Sequence, residues 1–143
     1  MKKYKQQNTN FPSIINFFNG ATKKFYKAKK ILTLDEETAY QMFYEAMLKA
    51  SLALMLSYGL RPRSLPGHHQ NIIGFCGKKL GQEFKDIVNS FDKMRRKRNQ
   101  AIYQPIAIIT ETEAKNSLKT AEEYLLVIKE HLNDNNPQLN LKF

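Results

Sequence analysis

The chain has 143 residues, enough for one domain with a real core, and its 42% hydrophobic and 25% charged residues are an ordinary globular balance. The formal net charge of +10 points toward a polyanionic partner. No apolar run reaches the roughly 20 residues that span a bilayer, and the first residues carry lysines without an apolar signal core, so neither membrane insertion nor secretion is expected. The single cysteine, Cys76, cannot form an internal disulfide; it fits a reduced, cytoplasmic compartment and reads as a small buried residue between Phe75 and Gly77.

Residues 1–11 are polar with little periodicity and predict a loose arm. Phe11-Pro12-Ser13 marks a helix start with Ser13 as N-cap, and Ile14, Phe17/Phe18, Ala21, Phe25, Ala28 and Ile31/Leu32 form one apolar stripe along it. Lysines occupy the other side, and no acidic residue precedes Asp35. Thr33 with Glu36 three residues later predicts a second helix, from Asp35 to about Tyr58, closed by Gly59. Its apolar positions cover most of its circumference, which makes it the central helix. Ser51, Ser57 and several alanines along it predict close approach of a neighbour.

Leu60 to Gly67 holds two prolines and a glycine and predicts a loop. His68-His69-Gln70-Asn71 opens a third, shorter helix that Gly81 ends. A fourth helix runs from about Gln82 to Tyr103, since Gln104 precedes Pro105 and is pushed out of helical geometry. Ile106 to Ile109 reads as an apolar loop folding back on the bundle. Thr110 and Glu113 form a capping box for a last helix, which turns Ala114, Leu118, Ala121, Leu125 and Ile128 inward. Residues 137–143 read as a frayed tail. The fold class expected is all-α: one domain over 1–143, an antiparallel four-helix-type bundle with an additional short helix.

The fourth helix carries the densest charge, Lys93-Met94-Arg95-Arg96-Lys97-Arg98-Asn99. Phe84, Ile87, Val88, Phe91 and Met94 define its buried face, and Arg98 is the next position on that stripe. A guanidinium there needs a subunit interface or a bound anion, because an unpaired buried charge is costly. Arg95, Asn99 and Tyr103 lie four residues apart in a row beside it. Lys93, Arg95, Arg96 and Lys97 are candidates for contact with nucleic acid, although Arg96 and Lys97 also suit a solvated helix end.

This helix order, with Arg98-Asn99 near the end of the penultimate long helix, resembles a HEPN domain over roughly residues 14 to 132. The resemblance implies a small helical domain whose members are often metal-independent RNases and toxins paired with a nucleotidyltransferase-like antitoxin, while others bind only a partner or a nucleotide. It implies Arg98, Asn99 and, at the motif position, Tyr103 as catalytic candidates, in a homodimer whose two Arg98-Asn99 helices face a shared groove. Nuclease members carry a His four to six residues after the Arg; here Tyr103 stands five residues on, as in a branch of HEPN-like sequences that carries Tyr there. A phenol is a poor base at neutral pH, so His68 and His69, after a Pro-Gly turn, are secondary candidates for proton transfer. His131, amid acids on the last helix, reads as a surface residue.

No cofactor or metal is expected: one Cys and three His lack ligand spacing, and Gly74, Gly77 and Gly81 lack the Lys-Ser/Thr of a phosphate loop. The function expected is RNA binding or metal-independent RNA cleavage. The alternative is a non-catalytic module for a protein partner or nucleotide, and a basic helical DNA-binding protein is the third reading, weakened by the lack of a turn-linked pair of short helices.

Overall fold

The computed structural model describes residues 4–6, 10–62, 67–106 and 109–143. In chain order they form β1 (Tyr4–Gln6), α1 (Phe11–Ile31), α2 (Glu36–Ser57), β2 (Leu60–Pro62), α3 (His68–Leu80), α4 (Lys85–Tyr103) and α5 (Glu111–Asn135). Short 3₁₀ turns at Gln82–Phe84 and Pro137–Leu139 lead into α4 and follow α5. The described residues are all-α apart from one short strand pair.

α2 is the hub and packs against α1, α3, α4 and α5. Its Ala39, Phe43, Ala46, Met47, Ala50, Ala53 and Leu54 are completely buried, as expected of a helix apolar around most of its circumference. α1 lies antiparallel to it, with Phe25 against Phe43 and Lys24 reaching Glu45. α5 runs parallel to α2: Ser51 meets the Tyr124 hydroxyl at 2.6 Å, and Tyr58 meets His131 Nε2 at 2.7 Å, both pairs 73 residues apart. α3 is also parallel to α2, since Tyr44 pairs with His69 and Ser51 with Cys76, each 25 residues on. The chain therefore travels back along α2 between Tyr58 and His68. α4 runs the other way, beside α2, α3 and α5.

Tyr44 and Ser51 of α2 and Tyr58 just after its end recur at seven-residue steps, and each bonds across to another helix. The seam satisfies the buried hydroxyls of Tyr44 and Ser51, which would otherwise cost about 1–3 kcal/mol each. Cys76 is fully buried, as expected, and burial pushes its thiol up to about 11. Gly77 lets α3 and α4 approach closely: a Cβ there would meet Val88 Cγ1 at 3.1 Å.

The helix ends follow the local signals, with two corrections. Gly59 (φ 72°) closes α2, Gly81 (φ 92°) closes α3, and Gln104 leaves α4 in extended geometry. Thr110 and Glu113 form the reciprocal capping box of α5. The caps of α1 and α2, however, are Asn10, which accepts from Ser13 N, and Asp35, which accepts from Thr38 N. Ser13 lies three residues after the actual cap and Thr33 two before it, because in each case a better acceptor sits at the extended residue where the chain turns in.

Both termini depart from the expectation of loose ends. β1 pairs antiparallel with β2, Lys5 opposite Arg61; three residues are too few to show strand alternation in a sequence. The rest of residues 1–9, and 63–66 of the expected loop, lie outside the described residues. At the other end, Leu139 and Leu141 are buried and Phe143 packs edge-on against Phe25. Asn133 clamps this segment, donating to Leu141 O at 3.1 Å and accepting from Leu141 N at 2.8 Å. Asn133→Ala is expected to cost about 1–2 kcal/mol and to speed amide exchange in residues 137–143 by more than tenfold, measured by hydrogen exchange. Of the apolar loop 106–109, Ile109 is buried, Ile106 is exposed, and residues 107–108 lie outside the described residues.

Candidate functional site

The buried face of α4 is made by Ile87, Phe91, Met94 and Ala101. Arg98 sits on that stripe, as its spacing predicts. Its Nε is buried and has no hydrogen-bond partner among the described residues. Its guanidinium carbon lies 5.5 Å from the centroid of the Tyr44 ring, within the reach of a cation–π contact. Neighbouring cations are provided for: Asp92 takes Arg95 at 2.8 Å and Arg96 at 3.5 Å, and Glu113 takes Lys97 at 3.2 Å. Arg98 has no carboxylate partner among the described residues.

A cavity of about 320 Å³ opens over Arg98. One wall is α4, with Arg95, Arg98, Asn99, Ile102 and Tyr103; the other is the start of α3, with Gly67, His68, His69 and Gln70. The return of the chain along α2 thus delivers both histidines to the Arg-Asn pair, a proximity that sequence spacing does not disclose. The size is at the lower end for small-ligand sites and suits a phosphate with its adjoining sugar.

Two aromatic contacts order the far wall. The His68 and His69 rings pack edge to face, centroids 4.4 Å apart. Tyr44 Oη lies 3.0 Å from His69 Nδ1, so Nε2 is the ring nitrogen left to face a ligand. Burial pushes His69 below the ordinary histidine value, and the positive surroundings of His68, Arg98 and Arg95 push the same way. Burial also raises the Tyr44 phenol, against the pull of Arg98 and Arg95, so it stays protonated at neutral pH. Tyr44 is the residue that sequence reasoning missed, since nothing in the apolar pattern of α2 sets it apart. It is core, with Phe91 at 5.6 Å, but its hydroxyl belongs to the site. The one available signal was a tyrosine where phenylalanine would have filled the stripe.

The remaining candidates divide. Asn99 and Tyr103 lie on the cavity wall and are exposed, Tyr103 by 84%. Lys93 and Arg96 line a different depression, with Asp86, Asn89, Ser90 and Asp92. The basic cluster is therefore not one surface: Arg95 and Arg98 face the cavity, Lys93 and Arg96 face away, and Lys97 is tied to α5. His131 is half-buried rather than a surface residue, held by Tyr58 at the far end of α2. No group of three His, Cys, Asp or Glu suited to a metal ion comes together among the described residues, and no helix among them is long and apolar enough to cross a membrane.

The fold and site define a class: a small helical domain whose penultimate helix carries an Arg-Asn pair, the arginine on its inward stripe and the asparagine exposed beside it. A HEPN domain profile matches residues 17–131, most of the chain, and the chain belongs to the HEPN domain family. No curated protein matches it.

Proposed function

We propose that this HEPN protein acts on RNA, binding a backbone phosphate at Arg98 and cleaving the strand without a metal ion. In this reading it is the toxin of a toxin–antitoxin type pair, working as a homodimer through the Arg98-Asn99 helix. The observation that carries the reading is the Arg98 guanidinium, without a carboxylate partner among the described residues, lining a cavity shared with two histidines. A phosphate oxygen is the natural partner of such a group. RNA supplies its own nucleophile, the 2′-OH, so the protein has only to move protons and stabilise charge on phosphorus. Arg98 meets the charge, Asn99 offers an amide to orient the strand, and the histidines offer a nitrogen base. The surplus of +10 assists capture of a long polyanion.

A second reading is favoured by the end of α4, where Ile102 (53%), Tyr103 (84%) and Ile106 (77%) are exposed together. Such an apolar rim fits a protein surface, either a second copy or a nucleotidyltransferase-like partner. There the module binds its partner, or a nucleotide, and does no chemistry.

Cleavage of a labelled RNA in EDTA separates the two. Wild type is expected to cut, and Arg98→Ala to cut about 100-fold more slowly. Well-folded wild type that leaves every RNA intact overturns the catalytic reading in favour of the second. Affinity that falls with salt and prefers single-stranded RNA to duplex DNA removes the DNA-binding alternative. Sedimentation equilibrium of wild type measures the dimer.

A further inference from the structure

We propose that His69, from the start of α3, is the proton-transferring residue of this site, and that Tyr44, from α2, is the positioning residue that holds it. The inference rests on the RNA-cleaving reading and names how that chemistry proceeds where α4 carries a tyrosine at the motif position.

The two groups a phosphodiester site needs are a cation for the phosphate and a base for the 2′-OH, and both converge on one side chain. Tyr44 presents its ring face to the Arg98 guanidinium and its hydroxyl to His69 Nδ1. The tyrosine itself cannot drift, because its ring is fully buried and packs on Phe91. The tautomer that serves as base is the one in which the Tyr44 oxygen accepts from Nδ1–H and the lone pair is on Nε2. Nε2 is then the base, on the opposite wall of the cavity from Asn99. Tyr103 is a weaker candidate on geometry as well as chemistry, since it stands 84% exposed on the rim.

The step balances without a further reactant. Nε2 takes the proton of the 2′-OH, and the 2′-oxygen forms a bond to phosphorus as the bond from phosphorus to the 5′-oxygen breaks. The leaving oxygen takes a proton from solvent, and His69 returns its own to solvent. The products are a 2′,3′-cyclic phosphate and a 5′-hydroxyl. Arg98 holds the charge on the phosphoryl oxygens throughout.

The groups facing His69 are Tyr44 from α2, His68 beside it on α3, and Arg95 and Arg98 from α4. The last three are cationic or can become so, and they disfavour the imidazolium in the same direction as burial. Cleavage needs the neutral ring, so the rate rises with pH through the His69 pKa. The acid limb is expected below the ordinary histidine value of about 6.5.

The test uses the full chain and a labelled RNA in EDTA, with fold checked by circular dichroism. His69→Ala is expected to lose about 100-fold or more in kcat and to regain part of it in imidazole. Tyr44→Phe keeps the ring, and it is expected to lose about tenfold in kcat with KM little changed. It should also move the acid limb, which a packing defect alone does not do. A His69→Ala variant that cuts at the wild-type rate, while Arg98→Ala does not, overturns this inference and leaves the RNase reading standing. Cleavage that is lost in Tyr103→Phe and kept in His69→Ala assigns the proton to α4 and overturns it also. A Tyr44→Phe profile identical to wild type removes Tyr44 from its role. Absence of cleavage by folded wild type overturns both readings together.

Discussion

Arg98→Met is expected to melt at the same temperature as the wild type or higher, and to lose its affinity for RNA. The side chain of methionine fills the space of the aliphatic stem along the buried face of α4, beside Met94 and Ala101. It removes a buried Nε that has no partner, a group whose desolvation costs about 1–3 kcal/mol. The contact with the Tyr44 ring is lost, at about 0.5–1 kcal/mol for a cation that is partly exposed. The balance is a gain of up to about 2 kcal/mol, or several degrees in Tm for a domain of this size. Scanning calorimetry and fluorescence anisotropy with a short RNA measure both halves. A residue kept for its fold gives the opposite pattern, and a drop of several degrees in Arg98→Met would make Arg98 a structural brace. Arg98→Lys discriminates further. It retains a cation but not the planar fork, so RNA binding should fall although net charge is unchanged.

That Arg98 interrupts a buried face was legible in the sequence, because the stripe of Ile87, Phe91 and Met94 has a fixed period and Arg98 falls on it. The stops were legible for the same local reason: Gly59, Gly81 and the residue before Pro105 each act on their own backbone. What could not be read was everything that depends on two helices meeting. Whether His69 reaches Arg98 depends on the route of the chain between Tyr58 and His68, and Leu60-Arg61-Pro62, which reads as loop in sequence and pairs as β2, carries no direction. Tyr44, Ser51 and Tyr58 look like core spacing on one helix. Their polar purpose exists only in the partners they find on α3 and α5. The tail failed as an expectation because Leu139, Leu141 and Phe143 are too short a run to show a period. They are held by a groove that α1 and α5 create and by one asparagine ten residues before the end.

The position of Phe91 ties stability to the site. It is fully buried, with the Tyr44 ring at 5.6 Å and the Tyr124 ring at 4.8 Å, so it joins α4 to both α2 and α5. Phe91→Ala removes this bridge and leaves a cavity that three separate helices cannot easily close. The expected cost is about 3–5 kcal/mol, against a total of about 5–15 kcal/mol for a domain. The urea midpoint should fall by about a fifth or more. Activity should fall further than the fraction unfolded accounts for, because Tyr44 loses the wall that fixes its hydroxyl under His69. Phe91→Leu refills most of the volume and is expected to recover most of the stability. If it recovers the midpoint while its rate stays low by about the tenfold expected of Tyr44→Phe, then the orientation of Tyr44 depends on the flat ring against it. A Phe91→Ala midpoint within about 1 kcal/mol of wild type would mean that α4 is docked by other contacts, and Met94, packed on the same face, would be the next side chain to truncate.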